Sequence, residues 1–277
     1  MDKMHAVRQI GLASAALAAI VGCADSTGPA GFQSVSLNFR VDAAAPSAVG
    51  PSRVSGPSLV AGPPLVLEGT NGTLTINEIR VIVDEAELHP ADGSCDVVEP
   101  SGDDLDDDCP DFEAPPRFLD LPLDGQPVAA VTVLVPAGSY KRLDFEIENL
   151  EDDEEDPVRA AEIAAVRAQV LAEFPDWPRK ASALVTGSFT PSGGSAVDFR
   201  VFLEAEVEVE IDLVPHIVVD DDGGTSRDLT VDISPQIWFL APDGTVLDLS
   251  QYDYDATGQL LEFEVEMEDG FTEIEFD

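Results

Sequence analysis

The chain has 277 residues and a formal charge of −41, with 55 Asp plus Glu against 14 Lys plus Arg. A surface this negative repels nucleic acid and anionic lipid headgroups, and attracts cations, cationic partners or water. The length suits one large β domain or two small ones.

The chain opens MDKMHAVRQIGLASAALAAIVGCADS. Lys3 and Arg8 make a short positive start, and Ile10 to Val21 is apolar but too short to span a bilayer as a stable helix. That layout predicts a secretory signal peptide over residues 1–22. Its end, Ile20-Val21-Gly22-Cys23, resembles the bacterial lipobox. The resemblance implies that Cys23 is lipidated and becomes the new N-terminus, and several acyl chains suffice for stable attachment. Removing residues 1–22 takes away Lys3, Arg8 and Asp2, a net +1, and moves the charge from −41 to −42. No later segment is apolar enough to cross a membrane as a helix. The expected location is therefore the bacterial cell envelope, exported and lipid-anchored at the outer membrane or cell surface.

Residues 23–31 read as a tether, and residues 32–277 as one acidic domain. Phe32 to Val41 alternates Val35, Leu37, Phe39 and Val41 against polar residues, a strand pattern. Residues 43–64 are rich in Pro, Gly, Ala and Ser and predict an extended or flexible loop. Thr73 to Leu88 alternates again, with a phase shift near Asn77-Glu78 that predicts a bulge or bend. Arg117 to Leu121 is a short strand candidate. Val128 to Val135 is continuously apolar and predicts a strand buried on both faces, and Tyr140 to Ile147 alternates with Leu143, Phe145 and Ile147 on one side.

The period then changes. Pro157 to Phe174 places Ile163, Val166, Val170 and Phe174 on one helical stripe, with Asp156 as cap, Pro157 in the first turn and Pro175 after the end. The acidic run Glu151 to Asp156 suits the positive end of the helix dipole.

Strands resume at Ala183 to Phe189, followed by a Gly-Ser turn at residues 192–195. Val197 to Leu213 is the clearest period-two pattern: Val197, Phe199, Val201, Leu203, Ala205, Val207, Val209, Ile211 and Leu213 face one way. Mostly acidic residues, among them Glu204, Glu206, Glu208, Glu210 and Asp212, face the other. One face is packed and one wet, which predicts an antiparallel sheet. The neighbours of those glutamates on adjacent strands should be basic, polar or cation-bridged, because like charges directly opposite destabilise. Ser226 to Ile233, Gln236 to Leu240, Thr245 to Leu249, Gln259 to Met267 and Phe271 to Phe276 are further strand candidates separated by Asp-Gly turns. The predicted fold is mainly β, an antiparallel β-sandwich with one inserted α-helix over about residues 157–174.

Three segments, Ile76 to His89 (INEIRVIVDEAELH), Val135 to Ile147 (VPAGSYKRLDFEI) and Leu184 to Glu204 (LVTGSFTPSGGSAVDFRVFLE), carry a family resemblance. They resemble an uncharacterised group of bacterial lipoproteins with a β-sandwich domain of unknown function, number 4382. The shared features are a first strand soon after the lipobox, the turn Ala137-Gly138-Ser139-Tyr140, and Gly187-Ser188-Phe189 before a long alternating strand. The resemblance implies a β-sandwich and an envelope location, and supplies no catalytic residues.

Export makes Cys95 and Cys109 disulfide partners by default. They bracket Asp104, Asp106 and Asp108, whose alternation is like the first half of an EF-hand calcium loop. Cys109 stands where that loop needs glycine and no glutamate falls at the twelfth position, so a calcium site there is of another design, and a solvated charged loop is the plain alternative. Asp220 to Asp222 is a weaker candidate. A zinc site on the cysteine pair lacks ligands, since His89 is the only nearby histidine. There is no Gly-x-Ser-x-Gly elbow or phosphate loop, and His89 and His216 adjoin prolines in contexts that read as surface or strand-end positions. One of Trp238 and Phe239 reads as core, since a strand sends adjacent residues to alternate faces, while Tyr252 and Tyr254 are candidates for a sugar platform. The reading that combines these features is a non-enzymatic envelope lipoprotein, a binding or structural module whose partner class is a glycan or an envelope protein. Two alternatives stand beside it: a calcium-binding surface module using the Cys95–Cys109 loop, and a carbohydrate-binding protein or glycoside hydrolase using paired carboxylates. Salt adaptation also produces such acidity.

Overall fold

A computed structural model describes residues 32–42, 63–91, 112–150, 156–220, 227–263, 267 and 270–276. The expected leader and tether, Cys23, the Cys95–Cys109 pair and Asp104, Asp106 and Asp108 lie outside the described residues, as do residues 43–62 of the Pro/Gly/Ala-rich segment.

The fold is mainly β: two sheets face each other across one core, with a helix on the outside of the larger. The smaller sheet is built from β1 (Phe32–Val41), β6 (Val128–Pro136), β11 (Arg227–Ile233) and β13 (Phe271–Phe276), in the order β13-β11-β1-β6. β1 runs parallel to β11 and antiparallel to β6. The larger sheet is organised around β3 (Gly72–Pro90). One edge of β3 pairs with β2 (Leu65–Gly69), β5 (Arg117–Asp120) and β4 (Phe112–Ala114). The other pairs first with β8 (Ala183–Pro191) and then with β7 (Gly138–Ile147). Beyond these lie β9 (Val197–Glu204) against β8, β10 (Val207–Val219) against β7, and β12 (Leu261–Glu262) against β9.

The core follows from alternation. Val35, Leu37, Phe39 and Val41 of β1 are buried against Leu74, Ile76, Ile79, Val81, Val83, Ala86 and Leu88 of β3 and Leu143, Phe145 and Ile147 of β7, all in one cluster. Phe39 and Phe145 meet across the sandwich with ring centroids 5.2 Å apart. Truncating either ring to alanine would cost about 3–5 kcal/mol. The phase shift expected near Asn77-Glu78 is present, since the register of β3 with β8 slips between Ile76 and Glu78. A second slip against β7, between Val83 and Glu85, restores Ala86 and Leu88 to the core face and leaves Glu85, Glu87 and His89 outward.

The first helix, α1 (Pro157–Glu173), begins as its cap residue requires: the Asp156 side chain accepts from the Val158 amide at 2.7 Å. Its stripe residues Ile163 and Val170 pack on Ile82, Phe118 and Leu150 at the outer face of the larger sheet. Arg159 anchors it at the second slip of β3, donating to the Asp84 carboxylate at 2.9 Å and the Asp84 carbonyl at 2.7 Å.

Four expectations are corrected. Val128–Val135 is not buried on both faces: β6 ends the order of its sheet, and Leu134 is 50 % exposed. Val197–Leu213 is two strands separated at Ala205-Glu206, where the ribbon passes from β8 to β7. Gln236–Leu240 is not a strand but a short helix, α2 (Pro235–Phe239), because Pro235 lacks an amide proton and suits a first helical turn. Both Trp238 and Phe239 are therefore buried, rather than alternating between two faces. Thr245–Leu249 forms only one bridge, Val246 to Leu240, before a 3-10 turn at Leu249–Tyr252 and the four-residue α3 (Tyr254–Thr257).

Candidate metal centre

Where α1 does not cover it, the outer face of the larger sheet is acidic. Strand register lines up carboxylates across it. Glu113 of β4 stands opposite Glu87 of β3, Glu87 opposite Asp144 of β7, and Asp144 opposite Glu210 of β10. In the next row Glu85 stands opposite Glu146, and Glu146 opposite Glu208. In the third row His89 faces Arg142, and Arg142 faces Asp212.

The expectation that the acidic faces of β9 and β10 meet basic, polar or cation-bridged neighbours is met by bases and polar groups only in part. It holds on β9, where Asp198 faces Ser188, Arg200 faces Thr186 and Glu204 pairs with Lys180 at 2.6 Å. On β10 Asp212 faces Arg142, whereas Glu208 faces Glu146 and Glu210 faces Asp144. Glu146 is half-buried, and burial together with the charges of Glu85 and Glu208 raises its pKa above the ordinary carboxylate value.

Two groups of side chains bring their ligand atoms within 4.8 Å of one another: Glu87, His89 and Asp144; and Glu85, Glu87 and Glu113. Glu87 belongs to both. In the first, His89 Nε2 lies 2.6 Å from Asp144 Oδ2 and 3.6 Å from Glu87 Oε2. Arg142 approaches the same Asp144 oxygen at 2.8 Å and reaches Glu210 at 3.6 Å. Asp144 is 8 % exposed, and its second oxygen, Oδ1, is buried without a hydrogen-bond partner among the described residues. A buried carboxylate oxygen without a donor is costly unless something satisfies it. Burial raises the Asp144 pKa, against the opposing pull of His89 and Arg142.

His89 stands at the end of β3, as expected, and it is also part of a built constellation. The sequence reading missed it because Pro90 follows it, yet Pro90 closes β3 and leaves the outward alternation Glu85, Glu87, His89 intact. An imidazole with carboxylates is a donor set for zinc-class divalent ions, whereas Glu85, Glu87 and Glu113 offer oxygen alone, as calcium prefers.

The tyrosines do not form an open pair. Tyr252 is 39 % exposed in the 3-10 turn, while Tyr254 packs edge-on against Phe202 with centroids 5.0 Å apart. His216 is exposed on β10, where the register with β7 shifts between Asp212 and Ile217. Of the second aspartate run only Asp220 is described, 3.5 Å from Arg227.

No family model matches the chain, and no curated protein matches it. Among solved structures it is similar to MbnP from Methylosinus trichosporium, at 15 % identity and a TM-score of 0.34, over 75 % of this chain and 77 % of that one.

Proposed function

We propose that the chain is a non-catalytic, exported and lipid-anchored β-sandwich module that binds a divalent metal ion on the outer face of its larger sheet. The observation that carries this reading is the alignment of carboxylates strand to strand, Glu113, Glu87, Asp144 and Glu210 in one row. Like charges directly opposite one another destabilise a sheet. Arg142 supplies one compensating charge at Asp144 and Glu210. A divalent ion at Glu87, His89 and Asp144 supplies two more and gives Asp144 Oδ1 a partner. Protons compete with the ion for these ligands, so affinity falls as the solution is acidified. The ion is of the zinc class, because one donor is an imidazole. The sequence at Ile20-Val21-Gly22-Cys23 supports the anchor, which would hold the acidic face out from the membrane on the segment that follows.

A second reading, favoured by the all-oxygen group Glu85, Glu87 and Glu113, is calcium. Isothermal titration of EDTA-treated protein with zinc and with calcium separates them. The expected result is one saturable zinc site, weakened at least about tenfold in Asp144→Asn and in His89→Gln. Calcium binding that survives His89→Gln but not Glu113→Gln would favour the second reading. Failure of both ions to bind below about 1 mM, the weak end of extracellular calcium sites, would overturn the metal reading.

A further inference from the structure

Arg142 of β7 places a cation of the chain's own against the residues that would hold the ion. One guanidinium nitrogen, Nη2, lies 2.8 Å from Asp144 Oδ2 and 3.5 Å from His89 Nε2. The other, Nη1, stands 3.6 Å from a Glu210 oxygen. A unit positive charge therefore sits beside two of the three side chains of the group Glu87, His89 and Asp144. A second cation bound there meets its repulsion, and partly buried charges are screened less than exposed ones. The position is also imperfect for the arginine. Its Nε is buried without a hydrogen-bond partner among the described residues, and an unpaired buried N–H is costly. A second seat lies next to the first. Glu210 and Asp212 are exposed carboxylates of β10, Glu210 opposite Asp144 and Asp212 opposite Arg142 itself. Directly opposed residues have Cβ atoms ~5 Å apart, within easy reach of an arginine, so a change of rotamer carries the guanidinium from Asp144 to that pair.

We propose, resting on the metal reading above, that Arg142 is a tethered competitor for the ion: it holds Asp144 in the metal-free protein and withdraws to Glu210 and Asp212 when the ion binds. The carboxylate row then keeps a counter-charge in both states. The arginine lowers the affinity of the site, because the ion must displace a charge-assisted contact. An arginine at a ligating carboxylate could instead orient it for the metal. The two roles predict opposite signs. Losing an orienting partner weakens metal binding, whereas losing a competitor tightens it.

Calorimetric titration of zinc chloride into protein stripped with EDTA and exchanged into plain buffer tests the sign. The chains compared are the parent, Arg142→Gln, Glu210→Gln and the double variant, each first checked for the parent's circular dichroism spectrum. Arg142→Gln should bind zinc at least about tenfold more tightly than the parent. Glu210→Gln should weaken zinc at least about threefold with Arg142 present, and by less than about twofold in the Arg142→Gln background, because its effect runs through the arginine's second seat. Zinc binding by the parent with equal or weaker binding by Arg142→Gln would overturn this proposal and leave the metal reading standing. Zinc binding by neither chain would overturn both. Equal losses from Glu210→Gln in the two backgrounds would also overturn the proposal, since only long-range charge would then be at work. Should Arg142→Gln fail to fold, the exposed Glu210→Gln decides alone, and undiminished zinc affinity in it would overturn the proposal.

Discussion

Replacing Glu146 with glutamine removes one charge from the row Glu85, Glu146, Glu208 while preserving shape. Each directly opposed like-charge pair costs roughly 0.2–1 kcal/mol, so relieving both should stabilise the metal-free protein by about 0.5–2 kcal/mol. For a chain of this size that is a rise in unfolding midpoint of roughly 1–8 °C. The sign with pH follows from the raised pKa of Glu146. An acid that holds its proton more tightly when folded loses stability as pH rises from the ordinary glutamate value of 4.5 through the raised one. The advantage of Glu146→Gln should therefore be full at pH 7, shrink as pH falls through that interval, and vanish below pH 4.5. Thermal unfolding by circular dichroism in EDTA, at low salt and across pH, measures it. An unchanged or lowered midpoint at pH 7, or a gain that persists in strong acid, would refute the reasoning that these carboxylates repel one another.

Three further outcomes are expected. Gly187→Ala should be severely destabilising by thermal unfolding, by about 1–3 kcal/mol or more, because a Cβ there would sit 2.0 Å from the Thr75 carbonyl oxygen and 3.0 Å from the Phe199 ring. Asp156→Ala should cost about 1 kcal/mol in denaturant unfolding by removing the cap on the Val158 amide, and Asp156→Ser should recover most of it. In a bacterial host the chain should incorporate labelled palmitate, and Cys23→Ser should abolish the label; an unlabelled parent chain would sink the anchor.

The helix, β1, β7 and the first slip of β3 were legible because each rests on local periodicity with a single wet face. The turn Ala137 to Tyr140 and Gly187 have physical reasons in the structure: the Tyr140 hydroxyl donates to the Pro136 carbonyl at 2.7 Å, and Gly187 lets β8 pass close to Thr75. Where every residue is apolar, as in β6, alternation is invisible and an edge strand reads like a central one. α2 was misread because five residues hold too little period to separate helix from strand, and Pro235 was the better guide. The candidate metal centre was half legible. Glu85, Glu87 and His89 alternate within one segment, but Asp144 and Glu113 join them only through strand register, which composition and spacing do not encode.

The most direct test of the central claim is the unfolding midpoint of EDTA-treated protein after adding zinc, calcium, or sodium chloride of matched ionic strength. Zinc at about one hundred times its dissociation constant should stabilise by about 2.7 kcal/mol, raising the midpoint by several degrees beyond sodium chloride, and Asp144→Asn should erase that excess. An equal rise with sodium chloride would mean that the carboxylate rows are merely screened, and would contradict a metal centre at Glu87, His89 and Asp144.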